Sequence, residues 1–203
     1  MNIDGYTRLA AVVAKPIKHS ISPFIHNLAF ENTGINGVYL AWEIAEEDLA
    51  VTMENVKRYD MFGLNISMPY KQAVIPYLDQ LTKSAQLIGA VNTIIPREGQ
   101  LIGHNTDGIG FFKSLDKLAG FQVQGKVMTV LGGGGAATAI IAQAALDGAA
   151  KIFVFSRSQS IERHTATAQK ISKETQVPIE VLPLEDSDLL QEKIFQSRLL
   201  VNG

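Results

Sequence analysis

The stretch VMTVLGGGGAATAI, residues 127–140, constrains the fold more than any other part of the chain. Five strand-forming residues run into four consecutive glycines, and an alanine-rich helical segment follows. Gly132, Gly134 and Ala137 match the pattern G-x-G-x-x-G/A, in which the chain turns tightly and a helix N-terminus faces a pyrophosphate. Strand, loop and helix in this order predict a dinucleotide-binding unit. The alternative is a glycine-rich turn that binds no ligand.

Strand-like and helix-like segments alternate along the whole chain, which is typical of an α/β protein with largely parallel sheets. In the segment 37–44, Val38, Leu40, Trp42 and Ile44 share one face. The predicted strands are 8–14, 37–44, 62–67, two within 90–108 joined by a turn at 97–100, 126–131, 151–155, 179–184 and 198–203. The predicted helices are 22–34, 46–59, 71–81, 109–120, 136–147 and 161–174.

A domain boundary near the helix 109–120 divides the chain into two α/β units. We predict a first unit over residues 1–112 and a doubly wound, Rossmann-like NAD(P)-binding unit over residues 113–203. The second unit ends on the strand-like segment RLLVNG with no covering helix after it. We therefore expect the chain to be a fragment, with a truncated cofactor unit.

Composition excludes several classes of protein. The 203 residues contain no cysteine, which excludes disulfides, thiolate metal sites and a cysteine nucleophile. The net charge is −2 and no lysine- or arginine-rich run exists, so we expect no nucleic-acid partner. Four histidines lack any metal-ligand spacing, and we expect no metal: His19, His26, His104 and His164. Because no apolar run approaches about 20 residues, we expect a soluble cytoplasmic protein without membrane contact.

The residues after the strand 151–155 indicate which dinucleotide binds. NAD-binding folds usually carry an acid at the end of their second strand, and no Asp or Glu lies between Lys151 and Ile161. Ser156, Arg157 and Ser158 instead offer two hydroxyls and a guanidinium, which suit a 2′-phosphate with no carboxylate to repel it. This favours NADP over NAD. The alternative for Arg157 is an exposed loop cation.

Polar residues near strand ends mark a second candidate site, in the first unit. Ser20 and Ser22 precede a helix, where a helix N-terminus could hold a carboxylate; Ser22 could equally be only the helix N-cap. Asn65 and Asn92 lie in apolar strand contexts, so each amide needs a backbone or ligand partner. Open α/β sheets bind ligands at the carboxyl ends of their strands, which makes this cluster suggestive.

Two charged residues complete this set. Lys71 follows the strand 62–67 at the start of a predicted helix, where it is either a solvated surface charge or an acid–base group. Asp107 begins the helical segment after HNT, where an N-cap role is the simpler interpretation. Spacing alone does not bring these two residues together.

Five motifs in this order and spacing resemble the shikimate dehydrogenases, including the quinate/shikimate dehydrogenases: KPIKHSISPFIHN, GLNISMPYKQAV, GAVNTI, GHNTDGIGF and LGGGGAATA. The resemblance implies an N-terminal α/β substrate domain, a Rossmann-like cofactor domain and an active site in the cleft between them. It also implies NADPH-dependent reduction of 3-dehydroshikimate to shikimate, in the route to aromatic amino acids. The partner is then this small-molecule substrate, and the protein a monomer or homodimer.

The resemblance also assigns roles by motif position. Lys71 and Asp107 match the catalytic pair, and Ser20 and Ser22 match the serines that hold the substrate carboxylate. Three further polar groups match contacts to the substrate ring: Asn65, Ser67 and Asn92. The cofactor residues by this match are Gly132, Gly133, Gly134, Gly135 and Ala136 for the pyrophosphate and Ser156, Arg157 and Ser158 for the adenosine 2′-phosphate.

Departures from the family pattern leave alternatives open. Alanine replaces glycine at Ala14, serine replaces threonine at Ser67, and glycine replaces a common alanine at Gly133. SRS at 156–158 replaces the usual NRT of the NADP-specific members, which keeps the arginine. A quinate/shikimate dehydrogenase that uses NAD is one alternative, and a non-catalytic nucleotide-binding relative is a more distant one, against which the intact Lys71 and Asp107 argue.

Overall fold

The computed structural model describes residues 3–203, which form two compact units, one that ends at Asn105 and one over Thr106–Gly203. The first unit contains β1 (Arg8–Ala14), α1 (Ser22–Thr33), β2 (Gly37–Glu43), α2 (Leu49–Arg58), β3 (Gly63–Ile66), α3 (Tyr70–Ala73), β4 (Gln80–Leu81), α4 (Lys83–Ile88), β5 (Thr93–Arg97) and β6 (Gln100–His104). The second contains α5 (Asp107–Ala119), β7 (Val127–Leu131), α6 (Gly135–Leu146), β8 (Lys151–Ser156), α7 (Ile161–Thr175), β9 (Ile179–Pro183), α8 (Ser187–Gln196) and β10 (Leu199–Asn202). The predicted boundary at residue 112 stays a prediction.

The first sheet has the strand order β2-β1-β3-β5-β6-β4. β1 runs parallel to β2 and β3, and apolar residues cover it on both faces. On one face Ala11 and Val13 join a core to which α2 contributes Leu49, Met53 and Val56. Burial of each such large side chain stabilises the fold by about 1.5–3 kcal/mol. The strand predicted over 8–14 is confirmed, and the continuous apolar pattern of RLAAVVA corresponds to its burial on both faces.

A hairpin completes this sheet. β5 pairs antiparallel with β3, and β6 pairs antiparallel with β5, so β6 runs in the same direction as β3. The predicted turn at 97–100 is confirmed. The carboxyl ends of β1, β3 and β6 and the start of β5 consequently lie at one edge of the sheet.

Two local predictions for the first unit need correction, and one helix was missed. The helix predicted over 71–81 is a single turn, α3, followed by a 3₁₀ turn at Ile75–Tyr77, because Pro76 cannot continue an α-helix. The helix α4 was not anticipated. Trp42 of β2 and the following Ile44 pack against the core, but Leu40 is exposed. The buried side chain of β2 is Tyr39 on the opposite face, since α1 covers that face of the edge strand.

The second sheet is entirely parallel, with the order β10-β7-β8-β9. Taken in chain order from the opposite edge, this is the 3-2-1-4 arrangement of a Rossmann half, so the strand order reverses between β7 and β10. The glycine loop follows β7 at this reversal, where open α/β sheets bind their ligands. The predicted α/β class is confirmed, and the helix α8, which precedes β10, was not anticipated.

Candidate functional site

The predicted substrate residues of the first unit lie on loops at one edge of its sheet. The backbone N–H of Ser67 donates to the carbonyl of Val13 at 2.9 Å, which extends the pairing of β3 with β1. The N–H of Lys15 donates to the carbonyl of Met68 at 3.1 Å. The loop that carries Ser20 and the loop that carries Ser67 therefore leave the sheet side by side.

The serine pair lies at the start of α1, where one alternative from the sequence, an N-cap role for Ser22, can be compared with the structure. Ser22 is the first residue of α1, with Ile21 at the N-cap position, so the predicted N-cap role of Ser22 is wrong. The hydroxyl of Ser20 accepts the N–H of Ser22 at 3.2 Å and satisfies one of the donors at this terminus. The helix N-terminus, with its partial positive charge, lies at the carboxyl edge of the sheet because α1 directly follows β1.

Lys71 lies on α3, and its backbone is held from two directions. The preceding residue, Tyr70, is buried, and its hydroxyl donates to the carbonyl of Ile44 at 2.7 Å. The carbonyl of Lys71 accepts the N–H of Val91 at 2.7 Å. The single-turn helix α3, which follows β3, therefore presents a half-buried lysine from a rigid base. Tyr70 is a supporting residue that the sequence patterns did not indicate.

Asn65 is engaged within the protein. The hydroxyl of Tyr39 donates to Asn65 Oδ1 at 2.7 Å. Asn65 Nδ2 donates to the carbonyl of Asn92 at 3.3 Å and to Thr93 Oγ1 at 3.1 Å. Thr93 Oγ1 in turn donates to Asn92 Oδ1 at 3.0 Å. Because both amide protons of Asn65 have acceptors, this side chain orients Asn92, which is only 9 % exposed.

Tyr39 therefore belongs to this polar network, although sequence reasoning treated its strand only as alternating apolar residues. Its ring stacks on His26 with 4.1 Å between ring centroids. Burial raises the pKa of the Tyr39 phenol, so the hydroxyl remains a donor across the working pH range. The sequence feature that could have indicated this role is a tyrosine on the side of β2 that faces α1, since a buried phenol needs a hydrogen-bond partner.

Asp107 is the first residue of α5 and so belongs to the second unit. Thr106 occupies the N-cap position, so the predicted N-cap role of Asp107 is wrong. A carboxylate in the first turn still interacts favourably with the helix dipole. Lys71 and Asp107 belong to different units, and their predicted pairing stays a prediction.

The glycine loop has the geometry that a pyrophosphate requires. Gly132 adopts φ +92°, a left-handed conformation that favours glycine, and its N–H donates to the carbonyl of Phe155 at 2.8 Å. α6 begins at Gly135, and within residues 3–203 no side chain caps its N-terminus. A β carbon added at Gly134 or Gly135 would meet no atom within 4 Å. The first-turn N–H groups therefore face an open space that suits an anion.

The adjoining cavity has a volume of about 340 Å³ and is shaped by the ends of β7, β8 and β10. Its lining joins Gly132 and Gly133 of the glycine loop to Ser156 and Arg157, two of the three residues predicted to meet the adenosine 2′-phosphate. Ser160 and His164, which were not predicted, also line it. The residues present thus fit a dinucleotide whose pyrophosphate lies at the helix terminus and whose adenosine lies beside β8.

His164 connects the two sides of this cavity. Its Nδ1 lies 2.7 Å from Ser156 Oγ, and its Nε2 lies 3.2 Å from the guanidinium of Arg163. Because a guanidinium only donates, Nε2 is the acceptor and Nδ1 carries the proton. Burial, aided by Arg163, lowers the pKa of His164, which is consistent with a neutral imidazole. Ser156 is only 1 % exposed, and its hydroxyl donates to the carbonyl of Arg157 at 3.2 Å.

A carboxylate lies where none was expected. Glu185, on the loop after β9, accepts the N–H of Ser158 at 3.1 Å and the hydroxyl of Ser158 at 3.0 Å. The premise that no acid approaches the segment 156–158 is therefore wrong. The acid comes from the third strand of the unit, and inspection of the second strand could not have found it.

Within the described residues, no helix is long and apolar enough to cross a membrane. A profile of the shikimate dehydrogenase substrate binding domain matches residues 12–94. The chain is 74% identical, over all 203 residues and 70% of the relative's length, to the NADP(+) shikimate dehydrogenase of Streptococcus suis.

Two solved structures extend the similarity to the fold. A shikimate 5-dehydrogenase from Listeria monocytogenes in complex with shikimate and NAD matches with a TM-score of 0.94 and 40% identity, over 100% of this chain and 70% of that one. The enzyme from Thermus thermophilus in complex with NADP(H) and shikimate matches with a TM-score of 0.77 and 35% identity, over 97% of this chain and 68% of that one. This chain therefore belongs to the shikimate dehydrogenase family.

Proposed function

We propose that this protein is an NADP-dependent shikimate dehydrogenase, an oxidoreductase that reversibly reduces 3-dehydroshikimate to shikimate in aromatic amino acid biosynthesis. The observation that carries the proposal is that the five family motifs supply the residues of two sites, one in each unit. Polar residues gather at the carboxyl edge of the first sheet, and the helix N-terminus after the glycine loop has no side-chain cap among residues 3–203. Identity of 74% to an NADP(+) shikimate dehydrogenase supports the same activity.

In this proposal the first unit holds the substrate. Ser20 and Ser22, beside the N-terminus of α1, bind the carboxylate, because both hydroxyls and the helix dipole favour an anion. Ser67 and Asn92 contact the ring hydroxyls. Asn65 acts with them by orienting Asn92 through the hydrogen bonds described above.

Lys71 and Asp107 carry the proton transfer. NADPH, when bound, supplies the hydride for the ketone carbon. The Lys71 ammonium hydrogen-bonds the ketone oxygen, polarises it and donates the proton that the oxygen requires. Asp107, the other member of the catalytic pair by motif position, accepts a hydrogen bond from a hydroxyl of the substrate with its carboxylate. The rigid base of Lys71, held through Tyr70 and Val91, favours this precise positioning.

The second unit holds the cofactor. Gly132 to Ala136 form the pyrophosphate loop, with the N-terminus of α6 facing the phosphates. Arg157 and Ser158 meet the adenosine 2′-phosphate, since the guanidinium can pair with two phosphate oxygens. The buried Ser156 hydroxyl, which is hydrogen-bonded to His164, supports the loop that carries Arg157 and Ser158.

The test is oxidation of shikimate with NADP, followed by NADPH absorbance, for the wild type and for Lys71→Ala. We expect a loss of about 10²–10⁴-fold in kcat with a small change in KM, as for removal of a general acid–base group. Lys117→Ala, at an exposed lysine on α5, is the matched control and should keep wild-type rates. An unchanged kcat in Lys71→Ala would contradict the role of this lysine.

A second candidate is a quinate/shikimate dehydrogenase that uses NAD. Two observations favour it: Glu185 lies against the segment 156–158, and the similar Listeria monocytogenes enzyme has a structure with shikimate and NAD. Comparison of kcat/KM for quinate with NAD against shikimate with NADP separates the two functions. Cytoplasmic location and a monomeric or homodimeric state stay predictions, and light scattering measures the latter.

A further inference from the structure

The third parallel strand of the second sheet brings an acid to the predicted 2′-phosphate loop. β9 pairs with β8 in a register that sets Pro183 beside Ser156, and the N–H of Leu184 donates to the carbonyl of Ser156 at 2.9 Å. The loop after β9 therefore lies beside the segment 156–158.

The backbone at Glu185 is fixed on both sides. Asp186 is the N-cap of α8, and its Oδ1 accepts the N–H of Leu189 at 3.0 Å. The N–H of Asp186 donates to the carbonyl of Pro183 at 3.4 Å. Glu185 thus projects from a short turn between a strand and a capped helix, and its approach to Ser158 does not depend on a flexible loop.

The carboxylate of Glu185 has two donors on one residue. One oxygen accepts the Ser158 N–H at 3.1 Å and the other accepts the Ser158 hydroxyl at 3.0 Å. The backbone N–H of Ser158 is the main reason that the pKa of Glu185 lies below its ordinary value, and the Arg157 guanidinium lowers it further. Glu185 is therefore ionised at neutral pH and partly balances the charge of Arg157.

We propose that Glu185 is a specificity-determining residue that narrows the preference of this enzyme for NADP over NAD. The inference rests on the proposed function, in which Arg157 and Ser158 meet the adenosine 2′ position. A 2′-phosphate must share these donors with a carboxylate of the same charge sign, whereas the 2′-hydroxyl of NAD can donate to that carboxylate. In NAD-binding folds an acid at the end of the second strand has this role, and Glu185 reaches the same region from the third.

The size of the effect follows from charge repulsion. Two unit charges about 6 Å apart in water repel enough to change a binding constant about threefold. A phosphate monoester carries about 1.5–2 negative charges at pH 7. Neutralising Glu185 should therefore tighten NADPH binding about three- to tenfold and leave NADH binding unchanged or weaker. The gain should shrink as salt screens the exposed charges.

The experiment measures dissociation constants of NADPH and NADH by titration of the nucleotide fluorescence, in wild type, Glu185→Gln and Glu185→Ala. Glutamine keeps the shape of the side chain and an acceptor for Ser158, while alanine removes both, so the pair separates charge from hydrogen bonding. Glu192→Gln removes a negative charge from α8 and is the matched control. Adenosine 2′,5′-bisphosphate, used as a competing probe, reports the adenosine end alone.

We expect the ratio of NADH to NADPH dissociation constants to rise three- to tenfold in both Glu185 variants and to stay within about twofold of wild type in Glu192→Gln. The proposal is overturned if Glu185→Gln leaves this ratio unchanged or weakens NADPH as much as NADH. Circular dichroism checks that the variants fold. A folded wild type that binds neither nucleotide would instead overturn the proposed cofactor function, and this inference with it.

Discussion

Gly133 and His164 form a pair whose coupling can be measured by substitution. The family commonly has alanine at position 133, and the structure gives a steric reason for glycine here. A β carbon at this position would lie 2.6 Å from Cγ and Nδ1 of His164 and 2.7 Å from its Cδ2. Ordinary carbon–carbon contacts begin near 3.5 Å, so in Gly133→Ala the imidazole must withdraw by about 1 Å.

The cost of that withdrawal follows from the contacts of the ring. Moving the imidazole by about 1 Å breaks its 2.7 Å hydrogen bond to the buried Ser156, which costs about 0.5–1.5 kcal/mol. Overpacking costs about 1–3 kcal/mol in general. We therefore expect Gly133→Ala to lower the free energy of unfolding by about 1–3 kcal/mol. In a His164→Ala background the obstacle is gone, and alanine should be neutral or stabilise by about 0.4–1 kcal/mol through the unfolded chain.

Urea denaturation of the two single variants, the double variant and the wild type gives the coupling free energy directly. Gly135→Ala is the matched control, because a β carbon there meets no atom within 4 Å and the residue begins α6. This control should be neutral or stabilising. An equal cost of Gly133→Ala with and without the imidazole would show that His164 is not the reason for the glycine.

Two further predictions concern the phenol and the imidazole. Tyr39→Phe keeps the ring but leaves Asn65 Oδ1 without its 2.7 Å donor. We therefore expect the free energy of unfolding to fall by about 1–2 kcal/mol and the KM for shikimate to rise. Unchanged values of both would exclude the orienting role of this tyrosine. Because the pKa of His164 lies below 6.5 in the folded state, the unfolded chain takes up this proton first as the pH falls, so its contribution to stability is complete above pH 6.5 and is lost below it. Denaturation from pH 7.5 to pH 5 should therefore show a smaller decline for His164→Ala than for wild type, and parallel profiles would rule this out.

Much of the fold can be predicted from local patterns. The apolar run of β1, the hairpin of β5 and β6, and the strand, glycine loop and helix from Val127 to Leu146 were all predicted with nearly correct bounds. These elements carry strong periodicity or turn residues, so neighbours in the chain determine them. Other elements were missed: α4 has only six residues, α8 was missed although Asp186 offers it an N-cap, and Pro76 ended a predicted helix after one turn.

For the candidate site as well, some residues could be predicted from the sequence, whereas their contacts could not. Motif order in the sequence led to Lys71, the serine pair, Asn92 and the glycine loop.

Several contacts around these residues join positions far apart in the chain. Tyr39 and Asn65 are 26 residues apart, and Ser158 and Glu185 are 27 apart. The sequence by itself therefore determined which residues could do chemistry, because a residue type and its local motif are properties of a short segment. The tertiary structure determined which of those residues hydrogen-bond to other residues of the protein. Strand order sets adjacency between loops, and no local pattern contains that order.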